Sequence, residues 1–142
     1  MKPFLNSDEQ PANEYEWLQA LLELARYLRS PEGCPWDRQQ TTASFARYMR
    51  EEADELNEAV AEGDNAHIAE ELGDTFFVAL MTAAVAEDEG RFPVKEFLEN
   101  AYHKMIRRHA HIFGGRKAET VDDIIGVWNQ VKAEEKQQRQ ES

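Results

Sequence analysis

The chain has a single cysteine, Cys34, in 142 residues, so no internal disulfide can staple it, and a reducing compartment suits it. It has no run of eighteen apolar residues, which excludes a membrane-spanning helix. The stretch from Met1 to Asn13 lacks the basic-then-apolar order of a secretory leader, and the expected location is the cytoplasm. β-branched runs bounded by turn residues are missing, so strands are not expected. There is no internal repeat, and the only biased tract is the charged tail. Basic charge is scarce as well. Sixteen Lys and Arg face 28 Asp and Glu, a net charge of −12, which argues against nonspecific binding to nucleic acid polymers. The most informative absence is local: from Glu51 to Gly90 there is no Lys or Arg, while thirteen acidic residues fall in that span.

What remains is material for one packed helical domain. Apolar residues make up 42% of the chain, including seven Phe, four Tyr and three Trp. The expected organisation is a flexible segment 1–12, a domain 13–136 and a flexible charged tail 137–142. Asn13 caps a first helix to about Leu28, with Leu18, Leu21, Leu22, Ala25 and Leu28 on one stripe. A loop with Pro31, Gly33 and Pro35 leads to a second helix from about Thr42 to Glu62. Gly63 ends it, and Asp64 caps a third helix to about Glu89. That third helix is apolar nearly all round from Thr75 to Ala86, which predicts a central position or an oligomer interface, in a homodimer or dimer of dimers. A fourth helix spans about Pro93 to His109. Thr120 with Asp123 resembles a capping box for a last helix that frays beyond Lys132. The fold class is all-α: a four-helix-bundle-like core with an additional C-terminal helix.

The chemistry is carried by carboxylates. Residues three apart share a helix face, so Glu52 pairs with Glu55, and Glu71 with Asp74. Gly63-Asp64 folds the two helices antiparallel. Glu55 lies about eight residues before that turn and Glu71 about seven after it, so at ~1.5 Å rise per residue the pairs meet at similar height. Gly73, lacking a side chain, is expected to let the neighbouring helix approach closely. Four converging carboxylates cannot all stay ionised without a counter-charge, and no nearby Lys or Arg supplies one. All-oxygen ligands select magnesium or manganese over zinc or copper. The competing reading is a solvated acidic face, and for Glu58 and Glu62 it is the better one. A di-iron bundle would need Glu-x-x-His, which is absent. His67 reads as an exposed helix residue, and His109 and His111 as packed or capping residues. Cys34 has no evident partner base for catalysis.

These residues resemble the MazG family of nucleoside triphosphate pyrophosphohydrolases. Its Glu-Glu-x-x-Glu and Glu-x-x-Asp motifs match Glu51-Glu52-Ala53-Asp54-Glu55 and Glu71-Leu72-Gly73-Asp74. Three further segments match in order: the loop Ser30 to Asp37, the basic run Lys104 to Gly114, and Trp128 to Lys132. The resemblance implies magnesium-dependent cleavage between the α- and β-phosphates of nucleoside triphosphates. It implies metal ligation by Glu52, Glu55, Glu71 and Asp74, with Glu51 supporting them or activating water. Lys104, Arg107 and Arg108 match phosphate-binding positions, and Trp36 or Trp128 could stack on the base or simply pack. Ala110 departs from the usual Pro, and Thr75-Phe76-Phe77 from a more aliphatic stretch. Two other readings stay open: a specialised all-α pyrophosphohydrolase acting on dUTP or phosphoribosyl-ATP, and a silent helical interaction domain.

Overall fold

The structure, a computed structural model, describes residues 3–5 and 7–141; Met1, Lys2, Asn6 and Ser142, at ends expected to be flexible, lie outside them. It is all-α. The helices are α1 (Glu14–Arg29), α2 (Pro35–Gln39), α3 (Thr42–Glu62), α4 (Asn65–Asp88), α5 (Val94–Arg108), α6 (Ala110–Phe113) and α7 (Val121–Glu141). Two compact units divide the chain, one reaching to Val94 and the other starting at Lys95.

The first unit is organised by an antiparallel hairpin of α3 and α4, with α1 packed on α4. Caps set the hairpin's bounds. At the start of α3, the Thr41 and Ser44 side chains each accept a hydrogen bond from the other's backbone N–H. At its end Gly63 adopts φ +81°, a left-handed conformation that residues with a Cβ resist, and Asp64 then accepts from the Ala66 N–H to open α4. Each such cap is worth ~1 kcal/mol and removes ambiguity about where the turn falls. The core is built mainly from α4: Leu80, Met81, Ala84 and Val85 pack with Ala25 of α1 and Phe45 of α3.

The predicted loop after α1 contains the short helix α2, with Pro35 in its first turn and Asp37 beside it. Arg29 holds this segment down. Its Nη1 donates to the carbonyls of Asp37 at 2.6 Å and Gln40 at 3.0 Å, and its Nε to Asp88 at 2.9 Å. Gly33 is required here, because a Cβ would lie 2.2 Å from the Tyr27 carbonyl oxygen.

The second unit has a small core, Ala110 with Val127 and Val131. The capping box opening α7 forms as expected, with Thr120 and Asp123 bonded reciprocally. The fraying expected beyond Lys132 does not occur, and α7 continues to Glu141. Lys, Glu, Gln and Arg are good helix formers, and ion pairs from Glu134 to Arg116 and from Glu135 to Arg107 and Arg108 anchor the charged stretch.

Candidate functional site

The α3–α4 hairpin brings the carboxylates together as the spacing demands. One oxygen each from Glu52, Glu55 and Glu71 lies within 4.8 Å of the other two. Glu52 is half-buried, and the Glu71 side chain is only 12% exposed. Oε2 of Glu52 and Oε2 of Glu71 are both buried with no hydrogen-bond partner. A buried acceptor left unsatisfied costs about 1–3 kcal/mol, so two in one cluster are not explained by folding. Burial pushes the Glu52 carboxyl up to about 7, aided by a hydrogen bond to Glu55 and the charges of Glu55, Asp74 and Glu71. Glu71 is raised by burial and by the charges of Glu55 and Asp74, against the lowering pull of His67.

Asp74 thus acts on the cluster through its charge but is not among the three oxygens that meet. Glu51 is exposed and also stands outside that trio. Gly73 does not serve close helix approach. A Cβ there would meet nothing within 4 Å, because this residue points away from the hairpin seam.

His67, expected to be simply an exposed helix residue, joins the acidic cluster. Its Nε2 lies 3.3 Å from Glu71 Oε1, and its Nδ1 lies 3.1 Å from Glu62 Oε2. His67 therefore fixes one oxygen of Glu71 while the other stays unpartnered in the cluster. Hydrogen bonding to Glu62 is the main cause of its raised pKa. The i,i+4 spacing of His67 and Glu71 was the available signal.

Trp36, on α2, is half exposed. Its ring packs edge-on to Phe45 at 6.1 Å and tilted on Tyr48 at 5.7 Å. In the second unit Lys104, Arg107 and Arg108 line one cleft between α5 and α7. The Arg108 guanidinium lies 5.3 Å from the centre of the Trp128 ring, and His109 meets that ring edge-on at 5.4 Å. His109 Nδ1 donates to the Met105 carbonyl at 2.6 Å, the packed role expected for it. Trp128 is consequently covered in part by Arg108 and His109. Glu135, which the sequence reading passed over, accepts from both Arg107 and Arg108.

Comparison with known proteins agrees with this arrangement. The sequence profile of the MazG nucleotide pyrophosphohydrolase domain matches residues 40–113, from the end of α2 through α6. The chain is 40% identical over 122 residues to the uncharacterized protein YabN of Bacillus subtilis (strain 168), covering 86% of this chain and 25% of that one. It is 39% identical over 120 residues to a nucleoside triphosphate pyrophosphohydrolase of Escherichia coli (strain K12), covering 84% of this chain and 46% of that protein. A crystal structure of a mazG-related protein from Thermotoga maritima superposes with a TM-score of 0.68 at 29% identity, covering 80% of this chain and 96% of that one. The chain thus spans from a quarter to just under half the length of these two curated relatives. With half of its residues matched by the family profile and the acidic motif gathered on one helical hairpin, the chain belongs to the MazG nucleotide pyrophosphohydrolase domain family.

Proposed function

We propose that the chain hydrolyses nucleoside triphosphates to the monophosphate and pyrophosphate, with magnesium, or manganese in its place, held by Glu52, Glu55, Glu71 and Asp74. The observation that carries this is the pair of buried, unpartnered oxygens on Glu52 and Glu71 within a three-carboxylate cluster. Such a donor set fits a hard cation: it is all oxygen, and the stretch from Glu51 to Gly90 that carries it has no Lys or Arg to neutralise it. A divalent cation supplies neutralisation of phosphate charge and makes water a better nucleophile.

The chain's own residues provide the rest. His67 orients Glu71, the turn of α3 sets the spacing of Glu52 and Glu55, and the α3–α4 hairpin brings Glu71 to them. Glu51, exposed beside them on α3, would support the ligands or act on water rather than complete the trio. Lys104, Arg107 and Arg108 are suited to pair with phosphate oxygens, since guanidinium groups bind them in a bidentate fashion. Trp36, with half its surface open, offers a ring face to a base. The exposed apolar residues Val60, Leu72 and Phe76 of the hairpin support a homodimer or dimer of dimers. A cytoplasmic location suits a nucleotide-pool enzyme, and among the described residues no helix is long and apolar enough to cross a membrane. The test is to incubate the protein with a panel of normal and damaged nucleoside triphosphates, with and without magnesium. Equimolar monophosphate and pyrophosphate are expected; release of orthophosphate, or turnover unaffected by chelation, would refute the proposal.

A further inference from the structure

The cleft between α5 and α7 encloses about 430 Å³ and is lined by Lys104, Arg107, Arg108, Glu135, Gln138 and Arg139. Four of these six residues are cations, in a chain whose net charge is −12. The fifth charged residue, Glu135, opposes them from within. Its Oε1 accepts from Arg107 Nε at 3.1 Å, and its Oε2 from Arg108 Nε at 3.3 Å and Nη2 at 3.1 Å. Burial pushes the Glu135 carboxyl up, but the bonds from the two guanidinium groups outweigh it and hold the carboxyl below its ordinary range. The side chains of Glu135 and Arg108 are 14% and 12% exposed, so this is not a loose surface pair.

The geometry resembles that of a bound anion. Glu135 takes Nε and Nη2 of Arg108, leaving Nη1 outside the ion pair, and the carbon of the same guanidinium lies over the Trp128 ring, 5.3 Å from its centre. A phosphate group entering the cleft meets cations already set in position, together with a carboxylate that competes for them. We infer that Glu135 is a resident counter-ion: it positions Arg107 and Arg108 and weakens the cleft's hold on a diphosphate group so that the group can leave. That the anion is pyrophosphate rests on the proposed function; the counter-ion role rests on the cleft alone.

The sign of one affinity separates this role from a purely structural one. If Glu135 only ties α7 to α5, removing it loosens the arginines and weakens anion binding. If it competes, removing its charge strengthens binding, because a unit charge a few ångströms away is a large term in a partly buried site. The experiment is calorimetric titration of the full chain with inorganic pyrophosphate alone, without metal or nucleotide. Glu135→Gln is expected to bind about tenfold more tightly than the wild type, and Glu135→Asp, whose carboxylate is withdrawn by one methylene, about threefold. Glu134→Gln makes the same change in net charge but removes the partner of Arg116, outside the cleft, and should stay within twofold. In any turnover assay, inhibition by added pyrophosphate should sharpen in Glu135→Gln by the same factor. Unchanged or weaker pyrophosphate binding in both Glu135 variants overturns the inference, as does equal tightening in Glu134→Gln. If Glu135→Gln does not fold, unchanged affinity in Glu135→Asp is sufficient to overturn it. Tightening in a chain that hydrolyses no nucleotide would support the counter-ion role and refute the proposed function.

Discussion

Between α3 and α4, three carboxylates crowd within 4.8 Å, and two of their oxygens are buried without a partner. Between α5 and α7, two guanidinium groups close on the single carboxylate of Glu135, and that carboxylate's oxygens are all bonded. Both regions concentrate charge of one sign; in the first His67 answers only one oxygen of Glu71, whereas in the second both oxygens of Glu135 are paired with guanidinium groups. An uncompensated buried cluster costs stability and implies that something from solution completes it. A compensated cluster is already near its preferred geometry and needs only to exchange one anion for another. The first arrangement suits tight capture of a cation, and the second suits reversible binding of phosphate.

The largest effect should come from the uncompensated side. Glu52→Gln and Asp74→Asn should each lower kcat by at least ~100-fold with helical content unchanged by circular dichroism, because a lost charged ligand removes several kcal/mol of transition-state stabilisation. Near-normal turnover in both at saturating magnesium would erase the distinction between the two regions. For Asp74 this also tests whether a residue that acts on the trio through its charge is a ligand in its own right.

On the compensated side, Arg108→Ala should reduce kcat/KM by about 10- to 100-fold while magnesium affinity stays unchanged. On the proposed function it would remove a bidentate phosphate contact without altering any carboxylate of the acidic hairpin. The opposite pattern, altered magnesium affinity with normal kinetics, would mean that the α5–α7 charges only hold helices together.

A smaller effect is the dependence of metal-free stability on pH. Glu52 titrates near 7 in the folded chain against an ordinary 4.5, so between these values the folded state binds more protons than the unfolded one. Its contribution to stability is therefore complete below about pH 4.5 and is lost as pH rises through about 7. Glu135, held low by its arginines, contributes in the opposite direction, with stability lost only as pH falls below the ordinary carboxylate range. Chemical denaturation of the metal-free chain from pH 5 to 8 should show declining stability, and Glu52→Gln should flatten the decline. A slope unchanged in Glu52→Gln would locate the titrating group elsewhere.

Much of this contrast could be read in advance from local pattern. Periodicity and caps placed α3 between Thr42 and Glu62, and the i,i+3 spacing put Glu52 with Glu55 on one face. Those features are set by helix geometry and the Gly63 turn, which act over a few residues. The ties of Glu135 to Arg107 and Arg108 cross 28 and 27 residues, and nothing in the spacing announces them. The helical state of α7 beyond Lys132 was missed for the same reason, since a run of charges looks frayed unless its partners are known. Gly73 shows the converse error. A glycine beside Asp74 suggested close packing, yet its side of α4 faces open space.

The acidic hairpin should bind a divalent cation in the absence of nucleotide. Thermal melting of the chain with magnesium, against sodium at matched ionic strength, measures this directly. At ten times its Kd magnesium should add about 1.4 kcal/mol, raising Tm by roughly 2–8 °C beyond the sodium control. Asp74→Asn should raise the metal-free Tm by relieving repulsion and shrink the magnesium increment, while Glu58→Gln, an exposed glutamate of the same helix pair, should leave that increment intact. Equal shifts from sodium and magnesium, with neither variant altering them, would contradict the account and leave these carboxylates an acidic surface.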